Sequence, residues 1–283
     1  VFPAPFAYER ADSVAGAVRL LEQHEDAKIL AGGHSLIPAM KLRLATPAML
    51  VDISKLAELK DITIADEIRI GAMATYNQIR DHRELKALLP VLGEAINVLG
   101  DQQVRARGTF GGAIAHADPA ADLPAVFEAL RGRVKVVGPN GEREIPAEDF
   151  FVDLWTTTLE PTEVLTDIII PKPADGTLMA YAKHAHPASG YAVAGVAVAL
   201  PVTDETVHDA RIVITGAAAK PTRAIAAENA LNGKTLDADV LATAAALASD
   251  GLDINGDTYA SVDFRSHLVR VMARRSLEHA ASR

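Results

Sequence analysis

Residues 103–124 run QVRARGTFGGAIAHADPAADLP. Gly108-Thr109-Phe110-Gly111-Gly112-Ala113 is a glycine-rich turn. Missing Cβ atoms let its backbone approach a ligand closely and adopt positive φ. Successive N–H groups in such a turn form a nest suited to a phosphate or pyrophosphate, and Thr109 adds a hydroxyl. Further on, Asp122 reads as the cap of a helix whose early Pro124 costs little, because first-turn N–H groups lack intrahelical partners. Asp118 and Asp122 also suit ligand hydroxyls such as those of ribose or ribityl chains.

A second turn of the same kind lies upstream, at Ala31-Gly32-Gly33-His34-Ser35-Leu36. It follows a short apolar strand expected over 28–31. Two such turns from distant parts of a chain can clamp one dinucleotide from both sides. Neither is a Gly-x-Gly-x-x-Gly fingerprint nor a Walker-type Gly-Lys-Ser/Thr. Two tight turns with close backbone packing remain the competing explanation at this point.

Around the turns, helix and strand periods alternate. Asp12-Ser13 caps a helix carrying Val14, Ala17, Val18 and Leu21. Residues 49–53 read as a strand, and Ile62, Ile64, Ile68 and Ile70 flank a hairpin turn at 65–67. Thr75 caps a helix, and two more follow through 84–88 and 91–99. Strands at 133–137 and 142–145 flank Gly138-Pro139-Asn140-Gly141. A strand over 163–170 runs into Pro171-Lys172-Pro173-Ala174-Asp175-Gly176, the expected domain boundary. Beyond it come strands at 178–184, 192–201 and 210–217, then helices at 222–231, 238–249 and 263–280. The order predicts an α+β chain with domains 1–176, divided near 56, and 177–283.

The 283 residues carry 49% apolar and 23% charged side chains, a net charge of −9 and no cysteine. That is a globular composition of about two domains. An acidic chain has no bulk electrostatic footprint for nucleic acid. Without cysteine the chain has no disulfide, no zinc–thiolate site and no iron–sulfur ligands of its own. No signal-peptide pattern or membrane-length apolar run is present, so a cytoplasmic location is expected, with any association to the inner membrane face made through partners. His184 and His186 fall on one face of an expected strand, but no further ligand accompanies them, and no metal site is assigned. Arg265, Arg270, Arg274 and Arg275 read as a solvated helix face.

Four stretches, in this order and spacing, carry a resemblance: residues 31–44 (AGGHSLIPAMKLRL), 71–75 (GAMAT), 103–124, and 186–198 (HPASGYAVAGVAV). The chain resembles the medium, FAD-binding subunit of the molybdenum hydroxylases, in particular the aerobic carbon monoxide dehydrogenase type. The resemblance covers essentially the whole chain. It implies the two-subdomain FAD-binding fold of the p-cresol methylhydroxylase type, followed by a small C-terminal α+β domain with a three-stranded sheet and helices. It implies an oxidoreductase complex with a large subunit holding the molybdenum cofactor and a small subunit holding two [2Fe–2S] clusters, as a dimer of heterotrimers. Electrons would pass from the clusters through FAD on this chain to an external acceptor.

The same resemblance implies site residues. Ala31, Gly32, Gly33, His34, Ser35 and Leu36, with Thr109, Gly111, Gly112 and Ala113, would lie along the FAD pyrophosphate. Asp122 would contact the sugar-like chain, Leu165 and Lys183 would lie near the flavin ring, and Tyr191 would line it. A lysine ammonium there would favour reduced, anionic flavin. No catalytic residue is assigned, because substrate chemistry would sit on another polypeptide. His34 stands where the family commonly has Gln, and Ala113 where Asn or Ser is usual. Gly-Gly-His also resembles the loop of related oxidases that attach flavin covalently, but the flanking residues follow the subunit pattern, so FAD is expected to be non-covalent. The alternative functions are a self-sufficient flavoenzyme, oxidase or reductase, of the same fold superfamily, and a scaffold whose glycine turns are structural.

Overall fold

Ser13 caps the helix Val14–Gln23, and Ala17, Val18 and Leu21 fall on its buried face. This helix carries the chain from the strand Ala7–Arg10 to the strand Ala27–Leu30, and the helix Leu36–Lys41 carries it on to Met49–Asp52. Crossovers of this kind join parallel neighbours. The three strands accordingly pair in parallel, with the fully buried Met49–Asp52 between the other two. The structure, a computed structural model, describes residues 2–283.

A five-stranded antiparallel sheet comes next, in the spatial order Ile62–Ile64, Glu67–Gly71, Val164–Pro171, Arg133–Gly138 and Gly141–Pro146. Both expected hairpins are present. The bidentate pair of Arg69 with Asp167, at 2.7 and 2.8 Å, ties two neighbouring strands. The chain between Glu67–Gly71 and Arg133–Gly138 forms a run of short helices from Tyr76–Asp81 to Asp122–Ala129. The last of these is buried at every residue.

The third sheet is antiparallel: Leu178–Ala185, Ala192–Leu200, Arg211–Thr215 and Thr222–Arg223. The three expected strands are there, and a short fourth joins them at the edge. Residues 222–223 were expected to open a helix; that helix begins instead at Ile225. The Val213–Arg223 and Ile214–Thr222 pairings and the Ala224 N–H on the Ile212 carbonyl hold this stretch extended.

The sheet is covered on both faces. Side chains alternate along a strand. Met179, Tyr181, Ala197, Ala199 and Val213 join the core beneath the five-stranded sheet, while Ala180, Val196, Val198, Ile212 and Ile214 join the core beneath the long helix Val262–Ala281. Two-sided burial explains why Ala192–Leu200 is a continuous apolar run. The same sandwich brings Leu178–Ala185 onto the helix Pro90–Asn97, and Ala192–Leu200 and Arg211–Thr215 onto the helix Asp122–Ala129. Among the described residues, no helix is long and apolar enough to cross a membrane.

Arg265 is not on a solvated face. It donates to the carbonyls of Val193 and Gly216 and pairs with Asp257, while Arg270 reaches Ser249. Arg274 and Arg275 are exposed, as expected of a solvated face, and Arg274 pairs with Glu278 one turn on.

Candidate flavin site

The strand Ala27–Leu30 delivers the chain into the first glycine turn. Gly33 takes φ +75, and its carbonyl accepts from Ile37 as the helix Leu36–Lys41 begins. A Cβ on Gly32 would lie 2.2 Å from the Arg107 carbonyl oxygen, so only glycine lets this turn meet the second one. Gly112 lies across from Ala31. Among the described residues, the N–H groups of Gly32, Gly33, His34, Ser35 and Leu36 donate to no backbone or side-chain acceptor. Consecutive free donors on one loop are what an anionic group requires.

The second turn is built differently. Phe110 N–H donates to Ala74, Gly111 to Ala72, Gly112 to the Thr109 hydroxyl and Ala113 to the Thr109 carbonyl. Its N–H groups are therefore already bonded within the protein. Thr109 is buried and caps the helix Phe110–His116, on which Gly111 and Gly112 present no side chain. The first turn supplies donors; in the second, Gly111 packs against Ala72 while Gly112 faces Ala31 of the first turn.

A third element closes on these two. Pro119 and Ala121 carbonyls accept the Thr215 hydroxyl at 2.9 and 2.7 Å, Gly216 N–H donates to Pro119, and Ala192 N–H donates to Ala120. Pinned in this way, Asp122 faces the strand Leu178–Ala185. Ala121, not Asp122, is the helix cap; Asp122 is the first helical residue. Tyr181 donates to it at 2.6 Å, and the Lys183 ammonium lies 2.9 Å away while also donating to the Gly190 carbonyl at 3.0 Å. The side chains of Lys183 and Asp122 are only 2% and 5% exposed. Burial pushes the Asp122 carboxyl above its ordinary range, against the pull of Lys183 and Tyr181. Lys183 is thus half of a neutral buried pair and not a free positive charge.

Tyr191 links this group to the first turn. Burial and the Asp118 carboxylate push its hydroxyl up, while the Ser35 hydroxyl pulls it back. Tyr76, pushed up by burial, by Tyr191 and by Asp122, completes the cluster. Ala31, Gly32, Ser35, Gly112, Asp122, Lys183 and Tyr191 therefore converge. Gly33 and Leu36 line the same turn, His34 is exposed at its tip, and Ala113 is half-buried in the facing helix. Leu165 is buried in the core of the five-stranded sheet, beside a bulge.

Tyr76 and Tyr181 were missed in the sequence. Tyr181 had a signal, since it sits two residues before Lys183 on a strand and so shares its face. His184 and His186 do not act together: His184 packs edge-on to Phe264, while His186 lies outside the strand against Tyr259. Among the described residues, no three His, Asp or Glu side chains gather as a metal site.

Residues 4–173 match the family model described as the FAD binding domain in molybdopterin dehydrogenase, and residues 179–280 match the CO dehydrogenase flavoprotein C-terminal domain. The chain belongs to the FAD-binding medium subunits of the molybdenum hydroxylases. It is 38% identical to the carbon monoxide dehydrogenase medium chain of Hydrogenophaga pseudoflava, covering 100% of this chain and 99% of that one. It is 34% identical to the glyceraldehyde dehydrogenase medium chain of Sulfolobus acidocaldarius, covering 99% and 100%. The solved carbon monoxide dehydrogenase from Hydrogenophaga pseudoflava, in a form lacking the Mo-pyranopterin moiety of its molybdenum cofactor, superposes with a TM-score of 0.95 at 40% identity, covering 100% of this chain and 99% of the matched one. The medium-subunit fold, an FAD-binding domain followed by a C-terminal domain, is therefore the fold of this oxidoreductase subunit. The free donors at residues 32–36, with Gly112 facing them from the second turn, fit the group that this family binds.

Proposed function

We propose that this medium subunit holds FAD non-covalently and relays electrons from an iron–sulfur partner to an external acceptor. The free N–H groups of residues 32–36 carry the reading, because a pyrophosphate satisfies several adjacent donors at once. Ala31, Gly32, Gly33, His34, Ser35 and Leu36 would line one side of it, with Thr109, Gly111, Gly112 and Ala113 on the other. Asp122 would hold the sugar-like chain, and Leu165, Lys183 and Tyr191 would neighbour the ring. The domains would be 1–176, divided near 56, and 177–283.

Bound FAD supplies both one- and two-electron chemistry. The chain's own residues supply position and electrostatics. Gly32 and Gly112 let two backbones close on one ligand. Lys183 and Asp122 present a neutral, hydrogen-bonded wall that adds no net charge to the site. Tyr191, 41% exposed, is the aromatic side chain that remains open toward a ligand.

The partners are a large subunit with the molybdenum cofactor and the substrate site, and a small subunit with two [2Fe–2S] clusters, assembled as a dimer of heterotrimers. The cysteine-free sequence accords with clusters held on another chain. Acid precipitation of the purified chain tests the cofactor reading: FAD released to the supernatant supports it, and colour kept in the pellet points to covalent attachment at His34. Oxidation of a hydroxylase substrate by the isolated chain would overturn the relay reading in favour of a self-sufficient flavoenzyme.

A further inference from the structure

At the opposite end of the helix from Asp122, a cavity of about 100 Å³ opens between Glu128, Arg131, Gly132, Pro146, Ala147, Glu148 and Arg211. That is well above the roughly 15 Å³ that one water needs. It lies where the helix Asp122–Ala129 and the helix Ala147–Phe150 meet the strand Arg211–Thr215.

One of its lining groups, Arg211, lacks a partner that burial normally demands, and a second, Glu128, has an unengaged carboxyl. Glu128 is 8% exposed, yet among the described residues its carboxyl makes no hydrogen bond and no ion pair. The Arg211 side chain is 11% exposed; its Nε is buried without a partner, and its nearest carboxylate, Glu148, is 4.0 Å away. The other charges nearby are already engaged. Arg223 pairs with Glu228, Arg131 with Asp209, and Lys220 donates to the Phe151 carbonyl at 2.9 Å.

We propose that this cavity binds a small tetrahedral or planar oxyanion, held by the Arg211 guanidinium and by the carboxyl of Glu128. A guanidinium donates to an oxyanion through two parallel N–H groups. A carboxylic acid adds an O–H donor, whereas a carboxylate would repel the ligand. Arg131 and Glu148 line the mouth. Burial pushes the Glu128 carboxyl up to about 7, overcoming Arg223, Lys220 and Arg211, with Glu148 adding to the rise. The carboxyl is thus poised to take up a proton as the anion enters. None of these residues belongs to the proposed flavin site.

Sulfate is the probe, because its charge is constant between pH 6 and pH 8. Isothermal titration of the full chain with sodium sulfate should show one saturable site. Affinity should fall about tenfold from pH 6 to pH 8, following the protonated fraction of a group that titrates near 7. Glu128→Gln should keep the site and lose its pH dependence. Arg211→Met should abolish binding, and Arg211→Lys, which keeps the charge but not the fork, should weaken it at least tenfold if the Met variant does not fold. Absence of saturable binding to the wild type overturns the proposal. So does binding that Arg211→Met or Arg211→Lys leaves unchanged, which would mark an adventitious ion only.

Discussion

The Lys183 ammonium lies 2.9 Å from an Asp122 carboxylate oxygen although the two residues are 61 positions apart. This pair joins the first turn of a helix beneath the five-stranded sheet to a strand of the C-terminal sheet. Removing one partner of such a pair leaves an uncompensated buried charge. Lys183→Met should therefore destabilise the protein by about 3–5 kcal/mol in urea unfolding. The double variant Asp122→Asn, Lys183→Met should recover part of that loss. A Lys183→Met effect below about 1 kcal/mol would mean that the pair does not join the two elements.

Three of the five tyrosines, Tyr76, Tyr181 and Tyr191, have hydroxyls pushed up by burial, with Asp122 adding to the rise in each and Asp118 also acting on Tyr191. In an alkaline titration followed by tyrosinate absorbance, native protein should develop only part of the signal, and the remainder should appear on unfolding. Full development before any loss of circular dichroism would contradict the cluster. Tyr181→Phe, which deletes the 2.6 Å bond to Asp122, should cost about 1–3 kcal/mol.

Glu163 offers an acid-side test. Burial works against its charged form, but the Arg143 fork and the Glu160 N–H together hold its carboxyl below the ordinary range. A carboxyl depressed in the folded state stabilises above its unfolded pKa and loses that contribution as the pH falls. Glu163→Gln should be less stable than wild type by about 1 kcal/mol near neutrality, since Arg143 is partly solvated. The gap should close as the pH falls through the ordinary carboxylate range toward the depressed value. A constant gap would place the effect elsewhere than in this ion pair.

The legible parts of the fold were those with local causes. Alternating isoleucines and a three-residue turn announce the hairpin at 62–71, and an apolar run ending in Gly32-Gly33 announces the first turn. The strand Ala7–Arg10 escaped because all its residues are exposed, so no burial pattern marks it. Thr222–Arg223 escaped because its pairing with Val213 and Ile214 is tertiary. Asp122 looked like a cap because its local sequence suits one; its actual partners, Tyr181 and Lys183, arrive from a distant strand. The second glycine turn looked like a donor nest, yet Ala72, Ala74 and Thr109 take up its N–H groups. Its match to the family stretches was visible all the same, because those stretches keep order and spacing.

Gly32 is where the two turns touch, and a Cβ there would lie 2.2 Å from the Arg107 carbonyl oxygen. Relieving that contact means shifting backbone, at a cost of about 1–3 kcal/mol in stability. Calorimetric titration of flavin-free protein with FAD, wild type against Gly32→Ala, tests the cradle directly. The wild type should bind one FAD per chain, and the variant should stay folded but bind at least tenfold more weakly. Equal affinity in the two proteins, or no binding to the wild type, would contradict the assignment of residues 31–36 to the cofactor.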